Sequence, residues 1–177
     1  GKGRVTLVTS SISGEGKSFF AANLAVALAI TGRKVVLMEM DLRKPKLSQY
    51  IKINHESGIT QYLVGLATRD EIIMPSGINP SLDFISSGPI PPNPSELLMN
   101  ESLDLLIDQI KNTYDDIIID TAPIGLVADA QVLSRVAHAS IFVIRHGYSY
   151  KSEVNNIEQI HRENKLPRIG IVFNGVN

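Results

Sequence analysis

The stretch Val5-Thr6-Leu7-Val8-Thr9, continued by Ser10-Ser11-Ile12-Ser13-Gly14-Glu15-Gly16-Lys17-Ser18 and then by the apolar run Phe19 to Ile30, decides the architecture of this chain. An aliphatic, β-branched run of this length reads as a strand buried on both faces. The spacing predicts a helix from Lys17 to about Thr31, apolar on nearly all sides through Phe20, Leu24, Val26 and Leu28, with Gly32 placed to end it. Between strand and helix lies a short loop carrying Gly14 and Gly16.

Strand, glycine loop and helix in that order form a Walker A phosphate loop. Such a loop works by turning backbone N–H groups toward phosphate oxygens at a helix N-terminus, and glycine lets the backbone approach closely. Ser13, Gly14, Glu15, Gly16, Lys17, Ser18 and Phe19 are therefore the expected nucleotide-binding residues. The Lys17 ammonium would face the β- and γ-phosphates and the Ser18 hydroxyl would ligate Mg2+. Ser11 stands where the usual pattern has its first glycine.

Moving outward, similar runs recur at Val35 to Met38, Leu82 to Ile85, Ile117 to Ile119, Ile141 to Ile144 and Ile169 to Phe173, mostly separated by helical patterns. Near-continuous apolar strands alternating with helices predict an α/β, doubly wound, mostly parallel sheet covered on both faces. A further helix is expected after the Pro-rich loop Pro89 to Pro94. Asn93 is its cap, Pro94 lies in its first turn, Glu96 has capping-box spacing, and Leu97, Leu98, Leu106, Ile107 and Ile110 form its apolar face.

Two of these strands end in acids. The second runs into Glu39-Met40-Asp41-Leu42-Arg43-Lys44-Pro45, and Ile117 to Ile119 runs into Asp120-Thr121-Ala122-Pro123. Open α/β sheets bind ligands at the carboxyl ends of their strands, so Asp120 reads as the Walker B acid that holds Mg2+ or its water. Lys17, Asp41, Glu39 and Arg43 are the candidate catalytic residues, and Ser18, Asp41 and Asp120 the candidate metal set.

With 44% hydrophobic and 20% charged residues, 177 residues suffice for one well-buried core, and a single domain over 1–177 is expected. A net charge of −1 without a Lys/Arg block argues against nucleic-acid or anionic-membrane binding. The absence of cysteine fits a reducing cytoplasm, and Ala21 to Ile30 is about half the length a membrane span needs. His55, His138, His146 and His161 show no metal-ligand spacing; Tyr148 and Tyr150 could serve as phosphate acceptors, but they read first as solvent-edge residues after a strand. The opening Gly1-Lys2-Gly3 just before one strand, and the stop at Asn177 just after another, suggest a segment of something longer.

Taken together, SSISGEGKS (10–18), VVLMEMDLRKP (35–45), LDFISSGPIPPNPSELL (82–98) and DDIIIDTAPIGLVADA (115–130) resemble the cytoplasmic kinase domain of bacterial tyrosine kinases of the exopolysaccharide and capsule type. The likeness runs over essentially the whole chain. It implies ATP- and Mg2+-dependent phosphorylation of protein tyrosines, commonly on a neighbouring subunit of a ring-like homo-oligomer. It also implies a membrane-embedded polysaccharide co-polymerase, fused or separate, as activator, which places the domain at the inner face of the bacterial inner membrane. Asn174 resembles the asparagine that contacts adenine in related ATPases, and an Asn before Gly equally suits a turn. Departures are Glu39 for the family's first Asp and Ala122 for its first proline after the Walker B Asp-Thr. The rivals are a partitioning-type switch ATPase, whose signature lysine is Ile12 here, and a nucleotide-binding scaffold of an export complex.

Overall fold

The computed structural model describes residues 3–51, 57–124 and 128–176. The chain runs β1 (Arg4–Ser10), α1 (Lys17–Ile30), β2 (Val35–Glu39), three short helices α2 (Leu47–Tyr50), α3 (Ile59–Leu63) and α4 (Arg69–Ile72), then β3 (Met74–Pro75) and β4 (Leu82–Ile85). It continues through α5 (Pro94–Leu98), α6 (Glu101–Ile110), β5 (Asp116–Asp120), α7 (Asp129–Leu133) with a 3-10 turn at Ser134–Val136, β6 (Ala139–Arg145), α8 (Ser152–Arg162) and β7 (Ile169–Asn174). The strands form one seven-stranded sheet in the order β3-β4-β2-β5-β1-β6-β7. Every pairing is parallel except that of β3 with β4.

Alternation along the strands explains why they read as unbroken apolar runs. Val35, Leu37, Val8 and Ile118 face α1, while Val36, Met38, Val5, Leu7, Ile117 and Ile119 face α6 and α7. The central strands are thus buried twice, once for each parity of their residues, while the edge strand β7 leaves Ile171 and Phe173 exposed. Helix α1 lies on the sheet through Ala21, Ala25 and Ala29, an i, i+4 stripe of small side chains that lets its backbone come close. Its larger residues, Phe20, Leu24, Val26 and Leu28, flank that stripe half-buried. The helix ends at Ile30, where the Gly32 N–H reaches back to the Ala29 carbonyl.

Three details differ from the sequence reading. The helix after the Pro-rich loop is two helices: α5 stops at Leu98, and Asn100 starts α6 by accepting the Ser102 N–H through its side chain. Asn93 does not cap α5 through its side chain, because its Nδ2 donates to the Glu96 carboxylate (2.7 Å) instead. The apolar face is as expected, with Leu97, Leu98, Leu106, Ile107 and Ile110 all buried. The two-residue β3 also went unanticipated. It is an edge strand with a proline, where a missing N–H breaks no ladder.

The parallel register brings the carboxyl ends of the central strands to one line. Val8 pairs with Asp120 and Asp120 with Glu39, so the phosphate loop, the acids after β2 and the acid ending β5 emerge side by side. On the other flank Arg145 pairs with Asn174. With β5 on one side of β1 and β6 on the other, the loop after β1 opens at the crevice that doubly wound sheets use for ligands.

Candidate nucleotide site

The loop after β1 is shaped by two glycines at φ 94°, Gly14 and Gly16, a conformation that side chains rarely adopt. Space forbids a side chain as well. A Cβ at Gly14 would stand 2.6 Å from the Tyr148 hydroxyl, and one at Gly16 would overlap the Asn174 side-chain amide. Gly16 leads directly into α1, and the first N–H groups of a helix have no partner within it, so they are free to meet phosphate oxygens.

At the floor of the crevice Lys17 is nearly buried. Its Nζ donates to Ser18 Oγ (3.1 Å) and Asp120 Oδ1 (3.1 Å) and lies 3.6 Å from Asp41 Oδ2. Burial pushes the Asp120 carboxyl above the usual range, against the pull of the Lys17 charge and of hydrogen bonds from Ser18 and Lys17; Asp41 adds a further push upward. Asp41 is held by its own turn, its Oδ1 accepting the N–H groups of Arg43 (3.3 Å) and Lys44 (3.0 Å). Above this floor opens a cavity of about 370 Å3, walled by Ser13, Gly14, Gly16, Lys17, Ser18, Phe19, Asp41, Arg43, Ala122 and Pro123 and rimmed by Lys44, Lys46, Tyr50 and Arg145.

The end of β5 is cross-tied to β1 and β2. Met40 N–H donates to Asp120 O (2.8 Å), Thr121 N–H to Val8 O (3.1 Å) and Thr9 Oγ1 to Ala122 O (3.2 Å). Ala122 makes its contact through a carbonyl that proline would also offer, so this departure from the family pattern leaves the tie intact. Gly125 to Val127 of the same motif lie outside the described residues, as does His55.

Several expected site residues do something other than face the phosphates. The Glu39 carboxylate is fully buried, accepts the Ser48 N–H (3.1 Å), the Ser48 hydroxyl and the Ser87 N–H (3.2 Å), and forms no part of the cavity wall. These bonds tie the start of α2 to the loop after β4. Glu15 is buried with its carboxylate on the Ile12 N–H (2.8 Å) and the Ser149 hydroxyl, which leaves only its backbone to serve a nucleotide. Arg43 lines the cavity, but its Nε donates to Asp129 Oδ2 (2.9 Å) and its Nη2 to Ser95 Oγ (2.7 Å). This bonding raises its pKa and leaves the guanidinium anchored to α5 and α7. The Asn174 amide donates to Glu15 O (3.0 Å). His138 serves the fold, its Nδ1 accepting the Val5 N–H (2.9 Å).

Sequence reasoning missed Lys46, Tyr50 and Arg145 at the rim and Asp129 as the Arg43 partner. Arg145 was findable, because it ends a strand of the parallel set at the same edge as Asp120. For Asp129 there was no local signal, since its partner is 86 residues away.

Mg2+ in phosphate sites is held by one or two carboxylates together with phosphate oxygens and water, so no all-protein cage is needed. Among the described residues no group of three His, Cys, Asp or Glu side chains has metal-binding geometry. The donor set of Ser18, Asp120 and Asp41 fits the smaller requirement, and the buried Asp120 carboxylate is a group that a cation would keep ionised.

Comparison with known proteins agrees with this geometry. Residues 6–177 match the CobQ/CobB/MinD/ParA nucleotide binding domain. The chain is 38% identical over 169 residues to tyrosine-protein kinase YwqD of Bacillus subtilis, covering 96% of this chain and 71% of that protein. It is 36% identical over 175 residues to tyrosine-protein kinase CpsD of Streptococcus agalactiae, covering 98% and 75%. The kinase domain of Escherichia coli tyrosine kinase ETK superposes with a TM-score of 0.93 at 31% identity, over 99% of this chain and 69% of that one. Matched along nearly its whole length, the chain belongs to the CobQ/CobB/MinD/ParA nucleotide-binding family and, within it, to the bacterial tyrosine-protein kinases.

Proposed function

We propose that this domain transfers the γ-phosphoryl group of ATP to protein tyrosines and thereby regulates exopolysaccharide or capsule synthesis and export. The observation that carries the reading is the seat of Lys17, a nearly buried cation between Asp120 and Asp41 at the floor of a cavity large enough for a nucleotide. Phosphoryl transfer asks the protein mainly for positioning and charge stabilisation. The backbone of Ser13 to Phe19 holds the phosphates, and Lys17 offsets charge on the transferred group. Ser18, Asp120 and Asp41 would hold Mg2+, which when bound neutralises phosphate charge and orients the γ-phosphate. Asp41, whose Oδ2 lies 3.6 Å from Lys17 at the floor of the cavity, would accept the proton of an incoming phenol whose ordinary pKa is about 10. Asn174 keeps its amide oxygen as the acceptor for an adenine amine.

Among the described residues no helix is long and apolar enough to cross a membrane. A cytoplasmic position beneath a membrane-embedded co-polymerase, in a ring of like subunits, is part of the same proposal. Incubating the chain with MgATP and a Tyr-rich polypeptide, with and without the cytoplasmic segment of that co-polymerase, should give phosphotyrosine by mass spectrometry in the complete mixture. Brisk ATP hydrolysis with no phosphotyrosine in either mixture would transfer the reading to a switch ATPase.

A further inference from the structure

Three consecutive carbonyls of the phosphate loop are each held by a side chain from the far flank of the sheet. Tyr148 Oη donates to Ser13 O (2.9 Å), Arg145 Nη1 to Gly14 O (3.0 Å) and Asn174 Nδ2 to Glu15 O (3.0 Å). A fourth tie runs through Ser149, whose hydroxyl donates to the Glu15 carboxylate and accepts the Arg145 N–H (2.8 Å). The Glu15 carboxylate in turn fixes the Ile12 N–H at the start of the loop.

We infer that the turn Arg145 to Ser149, with Asn174, is a positioning clamp that sets the affinity of the phosphate loop. A peptide plane has its N–H and C=O on opposite sides, so pulling successive carbonyls toward β6 and β7 turns the neighbouring N–H groups into the crevice. Both loop glycines fit this arrangement: the clamp side chains occupy the space a Cβ at Gly14 or Gly16 would need. Tyr148 is half-exposed and forms no part of the cavity wall, so its hydroxyl acts on a nucleotide only through the loop. The Arg145 guanidinium, 5.4 Å from the Tyr148 ring centroid, packs the clamp together. Tyr148 stands at the solvent edge, as its sequence position suggests, and its hydroxyl nevertheless reaches the loop.

The inference rests on nucleotide binding by the loop and is independent of tyrosine phosphorylation. Its test is calorimetric titration of MgADP into the wild-type chain, Tyr148→Phe and Ser149→Ala, with melting temperatures and the 31P NMR spectrum of the bound nucleotide. Tyr148→Phe keeps the ring and removes one donor, and Ser149→Ala removes the tie to Glu15 from the other end. Each should raise Kd about threefold to tenfold, the worth of one hydrogen bond. The β-phosphorus resonance should shift while the melting temperature stays close to wild type. Unchanged Kd in both variants overturns the clamp, as does an affinity loss that only tracks a falling melting temperature. Failure of the wild-type chain to bind MgADP overturns the clamp and the nucleotide-binding reading together.

Discussion

Replacing Lys17 by Met removes a cation from between two carboxylates that water barely reaches. Side-chain exposure is 10% for Lys17, 1% for Asp120 and 8% for Asp41, with contacts at 3.1 and 3.6 Å. At an effective dielectric of about 20, each contact is an attraction of about 5 kcal/mol before desolvation. Deleting one partner of such a buried set costs about 3–5 kcal/mol net. Asp120 modulates that loss with pH. Burial already raises its folded pKa against the pull of Lys17, and without Lys17 it must rise further. A carboxyl whose folded pKa exceeds its unfolded value of about 3.9 binds its proton more tightly when folded, so the stability it contributes is present at low pH and lost as pH rises through the folded pKa. The variant's deficit should therefore be largest at about pH 8 and shrink as pH falls toward about 5. Domains of this kind have about 5–15 kcal/mol in hand, so the variant stays folded at 25 °C while phosphotransfer disappears. Urea denaturation followed by circular dichroism at both pH values measures this. Stabilities within about 0.5 kcal/mol of wild type at both would show that Lys17 does not sit between these acids, and unchanged phosphorylation of a tyrosine substrate would remove the site itself.

Glu39→Asp restores the residue the family usually carries and, from the sequence alone, should be neutral or activating. With the carboxylate bound to Ser48 and Ser87, shortening it should instead destabilise the fold by about 1–3 kcal/mol, read as a lower urea midpoint, with little change in rate per folded molecule. Arg43→Ala leaves Asp129 fully buried with Ser95 in place of an ion pair, and because Arg43 is itself a third exposed the loss should be about 1–3 kcal/mol. Arg43→Lys should recover only part of it, since an ammonium cannot reproduce the fork that reaches Asp129 and Ser95 together; full recovery would mean that charge alone matters there. Gly16→Ala should abolish MgADP binding, because the added methyl meets Asn174 at a backbone angle alanine resists, and calorimetry showing normal affinity would contradict the loop geometry.

What the sequence made legible was local. The strand, loop and helix from Val5 to Ile30, the acids closing β2 and β5, and the apolar face of α6 follow from periodicity and from residue types whose backbone needs are strict. The break at Asn100 escaped because the face continues in phase across it, so the hydrophobic pattern gives no sign that the backbone turns there. The partners of Glu39, Glu15 and Arg43 escaped for a different reason. Ser48 returns to Glu39 through the turn between β2 and α2, nine residues on, while the partners of Arg43 and Glu15 are 86 and 134 residues away and meet them only through the fold. A motif states which residue types gather at a strand end, and only the fold states which way each carboxylate turns.

That distinction sorts the five acids at the carboxyl edge. Glu15 holds Ile12 and Ser149; Glu39 holds Ser48 and Ser87; Asp129 holds Arg43 and Ser95. All three are buried, and their hydrogen bonds keep three connecting segments in place around the phosphate loop. Asp41 divides its oxygens, one on its own turn and one toward Lys17, while Asp120 faces Lys17 and Ser18. Only two carboxylates are therefore aimed at the place where phosphates and a metal would lie, and that is the number a Mg2+ ion shared with phosphate oxygens uses. Were all five turned inward, their mutual repulsion would oppose a polyanionic nucleotide. Diverting three of them into the scaffold lets an acid-rich edge bind a phosphate chain.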